Sequence, residues 1–338
     1  MIHAGIVGAS GYGGAEVLRL LLRRNDIAVD AVTAASSAGL RVDALYPSFA
    51  GRTPLVLEEL DPDRLAGLDV VFISLPSGEG MKAVRRLHGR VGKIIDLGGD
   101  FRLQSAALYQ QYYKHEHVAP DLLRDAVYGL PELNHDRIVT ANLLANPGCY
   151  PTGAILGLLP ALVAGTVESE GIVVNAMSGT SGAGRSASVD MSFTEINENV
   201  RAYKLGVHQH IPEIESVLTE ASGKSVRCSF VPHLIPISRG IYSTIHAKLS
   251  GSLSQEEALG LYRDYFASSP FVRVSTQTPQ ITAVSRTNYC DIGLFVQERT
   301  GQLIIMAVID NLIKGAAGQA VQNMNLMFAL SESLGLEP

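Results

Sequence analysis

Short apolar runs rich in Val and Ile recur through the first 150 residues, separated by stretches in which apolar residues return every three or four positions. The runs predict strands at 3–8, 27–34, 69–75, 93–97 and 138–141, with helices at about 13–24 and 79–89. In the first helix Val17, Leu18, Leu21 and Leu22 form one apolar stripe, the mark of a helix packed along a single side. Strand and helix in alternation build βαβ units, which fold as a parallel sheet.

The rhythm changes after residue 150. Thr152 to Val163 reads as an apolar helix, and strand runs at 171–177, 226–232, 241–249, 281–286, 289–297 and 302–309 crowd together. Helical patterns fall near 211–222 and 254–267, and a last one runs from Asn311 to Leu334. Crowded strands predict an α+β domain whose mixed or antiparallel sheet is covered by helices on one face. A nucleotide-binding domain is therefore expected over 1–147 together with the C-terminal helix 311–338, and a catalytic and oligomerisation domain over 148–310.

The size of the chain fits this division, since 338 residues exceed what a single core usually holds. A formal net charge of −6 argues against a nucleic acid or an anionic membrane as partner. The opening Met1-Ile2-His3-Ala4-Gly5-Ile6-Val7-Gly8 is already strand-like, and no 18-residue apolar stretch is present, so a cytoplasmic protein is expected. Cys149, Cys228 and Cys290 are widely spaced and make no Cys-x-x-Cys pair, which gives no sign of zinc or a disulfide framework. Cys228 and Cys290 lie in strand-like runs and are expected in the core.

Two motifs carry chemistry. Gly8-Ala9-Ser10-Gly11-Tyr12-Gly13-Gly14 follows an apolar strand and opens an amphipathic helix. In that context glycines let backbone approach a pyrophosphate at a helix N-terminus, so a Rossmann-type, doubly wound domain is expected. The second strand ends in Thr33-Ala34-Ala35-Ser36-Ser37, with no acid to hold a ribose 2′-hydroxyl; Asp30 lies inside the strand. This favours NADP(H), with Ser36, Ser37 and Arg41 as candidate contacts of its 2′-phosphate. The other motif is Asn146-Pro147-Gly148-Cys149-Tyr150-Pro151-Thr152. Pro151 belongs in the first turn of a helix, which puts Cys149 at the helix start, where free N–H groups and the dipole stabilise a thiolate.

Candidate partners for the thiol are His208 and His210, alternate residues before Pro212, either of which suits acid/base work. His115 and His117 sit among Tyr112, Tyr113 and Lys114 and look like surface. Neither His-x-His pair has a third ligand pattern, so no metal is expected. The loop Ser178-Gly179-Thr180-Ser181-Gly182-Ala183-Gly184-Arg185 offers backbone donors and a guanidinium for an anion or a nicotinamide ribose. Arg102 ends a strand of the first domain and is a second candidate anion holder.

These motifs, with Leu75-Pro76-Ser77-Gly78, Asp96 to Arg102, Tyr128 to Asn134 and Asp310 to Ala320, resemble those of the N-acetyl-gamma-glutamyl-phosphate reductase family, related to aspartate-semialdehyde dehydrogenases. The resemblance covers essentially the whole chain. It implies that Cys149 attacks a small acyl phosphate, expels phosphate to leave a thioester, and that NADPH reduces this to a semialdehyde in arginine biosynthesis. It also implies cofactor contacts at Gly8, Ser10, Gly11, Tyr12, Gly13, Gly14, Ser36, Ser37, Pro76, Ser181, Gly182 and Asn311. Arg102 and Arg185 are implied on the substrate, His208 or His210 as acid/base, and a homodimer or homotetramer as the assembly. The alternatives are a lysine-pathway acyl-phosphate reductase and, from another class, an NADP-sensing regulator without catalysis.

Overall fold

The computed structural model describes residues 1–185 and 189–337, which form two compact units, Met1–Gly148 with Ala316–Glu337 and Cys149–Gly315. Asn311 to Gly315, expected in the first unit, thus belong to the second. The reason is local: the Asp310 carboxylate accepts hydrogen bonds from the N–H groups of Leu312, Ile313 and Arg286, and Asn311 Oδ1 accepts one from Gly240. Pro338, also expected in the first unit, lies outside the described residues.

The first unit holds β1 (Ile2–Val7), β2 (Ile27–Thr33), β3 (Leu57–Glu58), β4 (Val70–Ile73), β5 (Lys93–Asp96), β6 (Ala126–Tyr128) and β7 (Leu143–Ala145). Their order is β3-β2-β1-β4-β5-β7-β6, and every pairing is parallel. The chain winds one way from β1 to β2 and β3 and the other way from β4 onward, leaving a crevice beyond the carboxyl end of β1. The helix Tyr12–Leu21 buries Val17, Leu18, Leu20 and Leu21, each worth about 1.5–3 kcal/mol.

The strand expected at 138–141 is not formed. Pro131 starts a helix whose first turn does not need its missing N–H, and Pro131–Val139 is helical with Ile138 buried. The strand is the shorter Leu143–Ala145. The C-terminal segment likewise differs from one helix to Leu334. A π-helical turn covers Ile313–Ala317, a helix runs from Gly318 to Met327, and the backbone at Ala329 is left-handed, with φ of 53°. Every residue of Gly318–Met327 is buried, polar ones included. Gln319 and Asn323 each donate to the Gly129 carbonyl at 2.8 Å, and Asn325 Oδ1 accepts from Arg24. Paired in this way, buried amides cost little.

The second unit holds β8 (Ile172–Ser178), β9 (Arg201–Ala202), β10 (Cys228–Leu234), β11 (Ile241–Lys248), β12 (Val272–Ser275), β13 (Cys290–Gln297) and β14 (Gln302–Ile309). In the order β12-β13-β14-β11-β8-β10-β9, the β8/β10 and β12/β13 pairs are parallel and the rest antiparallel. The mixed sheet is as expected. Ile172, Val174, Ala176, Ile241 and Ile245 point inward under the helices Cys149–Val163, His210–Ser222 and Gln255–Tyr265. Val173 and Tyr242, on the other face, are half-buried, and Met177 is exposed.

The strand expected at 281–286 is a single helical turn, Ile281–Val284. Arg286 ends it with φ of 65° and donates its N–H to Asp310, so the segment turns back toward β14 while Val272–Ser275 supplies the edge strand. Among the described residues no helix is long and apolar enough to cross a membrane.

Candidate active site

Cys149 is the first residue of the helix Cys149–Val163 and is half-buried, while the rest of its first turn is buried. Its thiol therefore stands where backbone N–H groups lack intrahelical acceptors. It lines a cavity of about 580 Å³, shared with Tyr150, Ser178, Gly182, Tyr203, Lys204, His208 and His210. The two histidines and the thiol are thus brought together by folding, across sixty residues of chain. Cys228 differs, because burial, with the Glu215 charge, pushes its thiol up to about 12. Cys290 is fully buried in β13.

The histidines are not equivalent. His210 opens the helix His210–Ser222, and its backbone N–H donates to His208 Nδ1 at 3.1 Å. That bond makes Nδ1 of His208 an acceptor, which leaves the proton of the neutral ring on Nε2. Burial, then the nearby Lys204 ammonium, lower the imidazole of His208 to about 4. Its ring packs edge-on against Tyr150, Tyr203 and Phe230, with centroids at 5.8, 5.7 and 5.3 Å. The Tyr150 hydroxyl meets that of Tyr203 at 3.0 Å and the His233 carbonyl at 3.2 Å. Burial holds both phenols protonated, that of Tyr203 raised to about 12.

Residues 178–181 are clamped against 235–240. Gly179, Thr180 and Ser181 donate their N–H groups to the carbonyls of Gly240, Ile237 and Ser238, and a Cβ at Gly179 would lie 2.8 Å from the Arg239 nitrogen. Asn311 joins the two segments through its amide, Oδ1 accepting from Gly240 at 2.8 Å and Nδ2 donating to Ser181 Oγ at 3.0 Å. Ser181, Gly182 and Asn311 therefore gather with Cys149 in the second unit. Arg185 is exposed.

The other expected cofactor residues gather in the first unit. Gly8 has φ of 88°, and a Cβ there would stand 2.2 Å from the Ser74 carbonyl oxygen, so the turn admits only glycine. At Gly13 a Cβ would lie 2.8 Å from Ser74 Oγ, and at Gly14 2.4 Å from the Gly8 oxygen. The helix begins at Tyr12 with no side chain capping it from Gly11 and no acid in its first turn. A glycine cradle ending in open helix donors fits the pyrophosphate of a dinucleotide. Beyond β2, Ser36 is exposed and Ser37 buried, and Asp30 is held by His3 at 2.6 Å, away from a ribose role. Pro76 lies exposed past β4. Arg41, a candidate for the 2′-phosphate, instead forms a two-pronged pair with Asp43 at 2.9 and 2.6 Å.

At the end of β5, Arg102 donates through Nε to the Asn146 carbonyl and through Nη2 to that of Leu97, each at 2.8 Å. Beside it are two buried carboxylates. Asp100 accepts from the N–H groups of Gly78 and Met81 and from the Tyr109 hydroxyl. Asp96 accepts from the Gly98 N–H, while its Oδ2 has no hydrogen-bond partner among the described residues. Burial first, then the charge of Asp100, raise the Asp96 carboxyl to about 7. His117 is not surface as expected. It is 5% exposed, with Nε2 2.9 Å from the Asp100 carbonyl oxygen and Nδ1 accepting from Ala119. Among the described residues no group of three or more His, Cys, Asp or Glu is arranged to hold a metal.

Two family models match the chain, the NAD binding domain of semialdehyde dehydrogenase over residues 3–141 and its dimerisation domain over 149–311. The N-acetyl-gamma-glutamyl-phosphate reductase of Symbiobacterium thermophilum is 47% identical over 99% of this chain and 97% of its own. That of Geobacter sp. strain M21 is 47% identical over 100% and 98%. The chain belongs to the N-acetyl-gamma-glutamyl-phosphate reductase family. The fold of this family member is also that of aspartate semialdehyde dehydrogenases. The Candida albicans enzyme solved with NADP matches with a TM-score of 0.73 at 16% identity, covering 99% of this chain and 100% of that one. The Vibrio cholerae enzyme matches with 0.71 at 17%, covering 97% and 98%.

Sequence reasoning about this reductase family member missed Tyr150 and Tyr203, whose phenols meet behind the histidines, and the cavity cations Arg201 and Lys204. A signal was present for some of them, since Tyr203 and Lys204 precede His208 closely and Tyr150 follows the thiol directly.

Proposed function

We propose that this chain reduces N-acetyl-L-glutamyl 5-phosphate to N-acetyl-L-glutamate 5-semialdehyde and phosphate with NADPH, a step of arginine biosynthesis. The observation that carries the reading is Cys149 at a helix start, in one cavity with His208 and His210. The relatives' names and the NAD binding domain model support the substrate and the cofactor.

Cys149 is the nucleophile. His210 takes the thiol proton, and the sulfur attacks the acyl carbon; the acyl–oxygen bond breaks, phosphate leaves with the bonding pair, and a thioester remains. The backbone donors of the helix start stabilise the oxyanion of this step. When bound, NADPH supplies the hydride that reduces the thioester carbonyl. The resulting hemithioacetal oxyanion re-forms its C=O bond and expels the Cys149 thiolate, which recovers its proton from His210. His208 is set aside as the proton acceptor, since its Nδ1 is engaged by the His210 N–H, its Nε2 carries the ring proton, and burial makes its ring a weak base. It holds His210 at the helix start.

Gly8, Ser10, Gly11, Tyr12, Gly13 and Gly14 would hold the pyrophosphate, and Ser36 and Ser37 the 2′-phosphate. The half-buried sheet face carrying Val173, Tyr242 and Ile304, with exposed Met177 and Phe295, supports a homodimer or homotetramer, as does the dimerisation domain model. A cytoplasmic location fits a soluble biosynthetic step of this kind.

The test runs the reaction backward, following NADP reduction with N-acetyl-glutamate semialdehyde, aspartate semialdehyde and the lysine-pathway aldehyde, with and without phosphate. Phosphate-dependent turnover that favours the first aldehyde and is lost in Cys149→Ser is expected. Turnover without phosphate, or unchanged in Cys149→Ser, would sink the mechanism.

A further inference from the structure

Among the described residues, the cavity around Cys149 is lined by two cations, Arg201 and Lys204, and one carboxylate, Asp190. Arg201 holds the backbone carbonyl of Asp190 through a close Nη2 bond. Lys204 is held more loosely. Its ammonium makes one long contact, 3.4 Å to Gln209 Oε1, and no carboxylate pairs with it among the described residues. An ammonium has three donors, so Lys204 keeps capacity for an incoming anion. Its charge is felt by His208, which lines the same cavity and is lowered by Lys204 after burial.

The backbone adds an independent observation. Lys204 has φ of 48°, a left-handed conformation that a residue with a Cβ adopts at a cost and that glycine adopts freely. Residues held in such backbone conformations gather where a particular group must be presented at a site.

We infer that Lys204 is the cation that receives the α-carboxylate of the substrate and thereby selects an acyl phosphate bearing a free carboxylate at the far end of its chain. This rests on the substrate class proposed above. In a glutamyl skeleton the reacting carbonyl and the α-carboxylate are at opposite ends, so one end meets Cys149 while the other meets the ammonium. A charge-assisted contact made equally in the bound state and the transition state acts on KM and leaves kcat nearly unchanged.

The experiment compares wild type with Lys204→Gly, Lys204→Gln and Lys204→Arg in the backward assay, using N-acetyl-glutamate semialdehyde and its α-carboxamide. Lys204→Gly removes the charge and relieves the left-handed strain, so its thermal midpoint at or above that of wild type is expected. For both neutral variants the KM of the carboxylate aldehyde is expected to rise about tenfold or more, and the preference over the carboxamide to collapse, while Lys204→Arg keeps most of it. Normal wild-type turnover with an unchanged KM in the neutral variants, or an equal rise for both aldehydes, would overturn the role of Lys204 alone. Absence of phosphate-dependent turnover in wild type would instead sink the reaction proposed above, and this inference with it.

Discussion

Gly315 packs so closely on Cys149 that a Cβ at position 315 would stand 2.9 Å from the Cβ of the cysteine and 3.2 Å from its Cα. The π-helical turn Ile313–Ala317 brings it there, with the Gly315 N–H bonded to the Asp310 carbonyl at 3.0 Å. The absence of a side chain at 315 therefore fixes where the helix start and its thiol can stand.

Gly315→Ala is expected to push Cys149 out of register with the cavity. Overpacking of this kind costs about 1–3 kcal/mol of stability, and misplacing a nucleophile by a fraction of an ångström lowers kcat by roughly tenfold or more. Thermal unfolding and steady-state rates measure the two effects. A variant with wild-type kcat would mean that the close approach is incidental.

His208 is expected to stay neutral, with its proton on Nε2, across the neutral range. A histidine in an unfolded chain titrates near ~6.5, and the folded value of about 4 lies below it. The stability from keeping this ring neutral is therefore full above the unfolded value and is lost as pH falls from there through about 4. Nitrogen chemical shifts of the labelled ring, followed from pH 8 to pH 4, check both tautomer and charge. A cationic His208 at pH 6 would contradict the role given to its Nδ1 bond.

Asp96 runs the other way. Its folded carboxyl is raised to about 7 from 3.8, so the folded chain holds a proton that the unfolded chain has lost. Stability is thus full below the unfolded value and falls, by a few kcal/mol in order of magnitude, as pH rises through about 7. Asp96→Asn keeps an acceptor for the Gly98 N–H and removes the titration. It should flatten the decline in urea midpoint between pH 5 and pH 8, whereas an unaltered slope would place the titration elsewhere.

Local chemistry was legible in the sequence. The glycine loop was legible from its place between an apolar strand and an amphipathic helix, and Gly8 has the left-handed backbone and the close approach to Ser74 that only glycine allows. The helix start at Cys149 was read from Pro151, whose missing N–H belongs in a first turn. The misread strands at 138–141 and 281–286 were short β-branched runs, whose fate hung on Pro131 in one case and on the Arg286 bond to Asp310 in the other.

By itself, then, the sequence determined the fold class, most of the strands and helices, the glycine turn and the helix start at Cys149, because periodicity, proline and glycine act over a few neighbouring positions. Tertiary structure alone decided that His208 and His210, two residues apart, stand in different surroundings, since one backbone N–H reaches His208 Nδ1. It also decided that Asp96 and His117 are buried and that Lys204 shares a cavity with Cys149. Burial and charge are set by every group that folding brings within a few ångströms, and those groups are far apart along the chain.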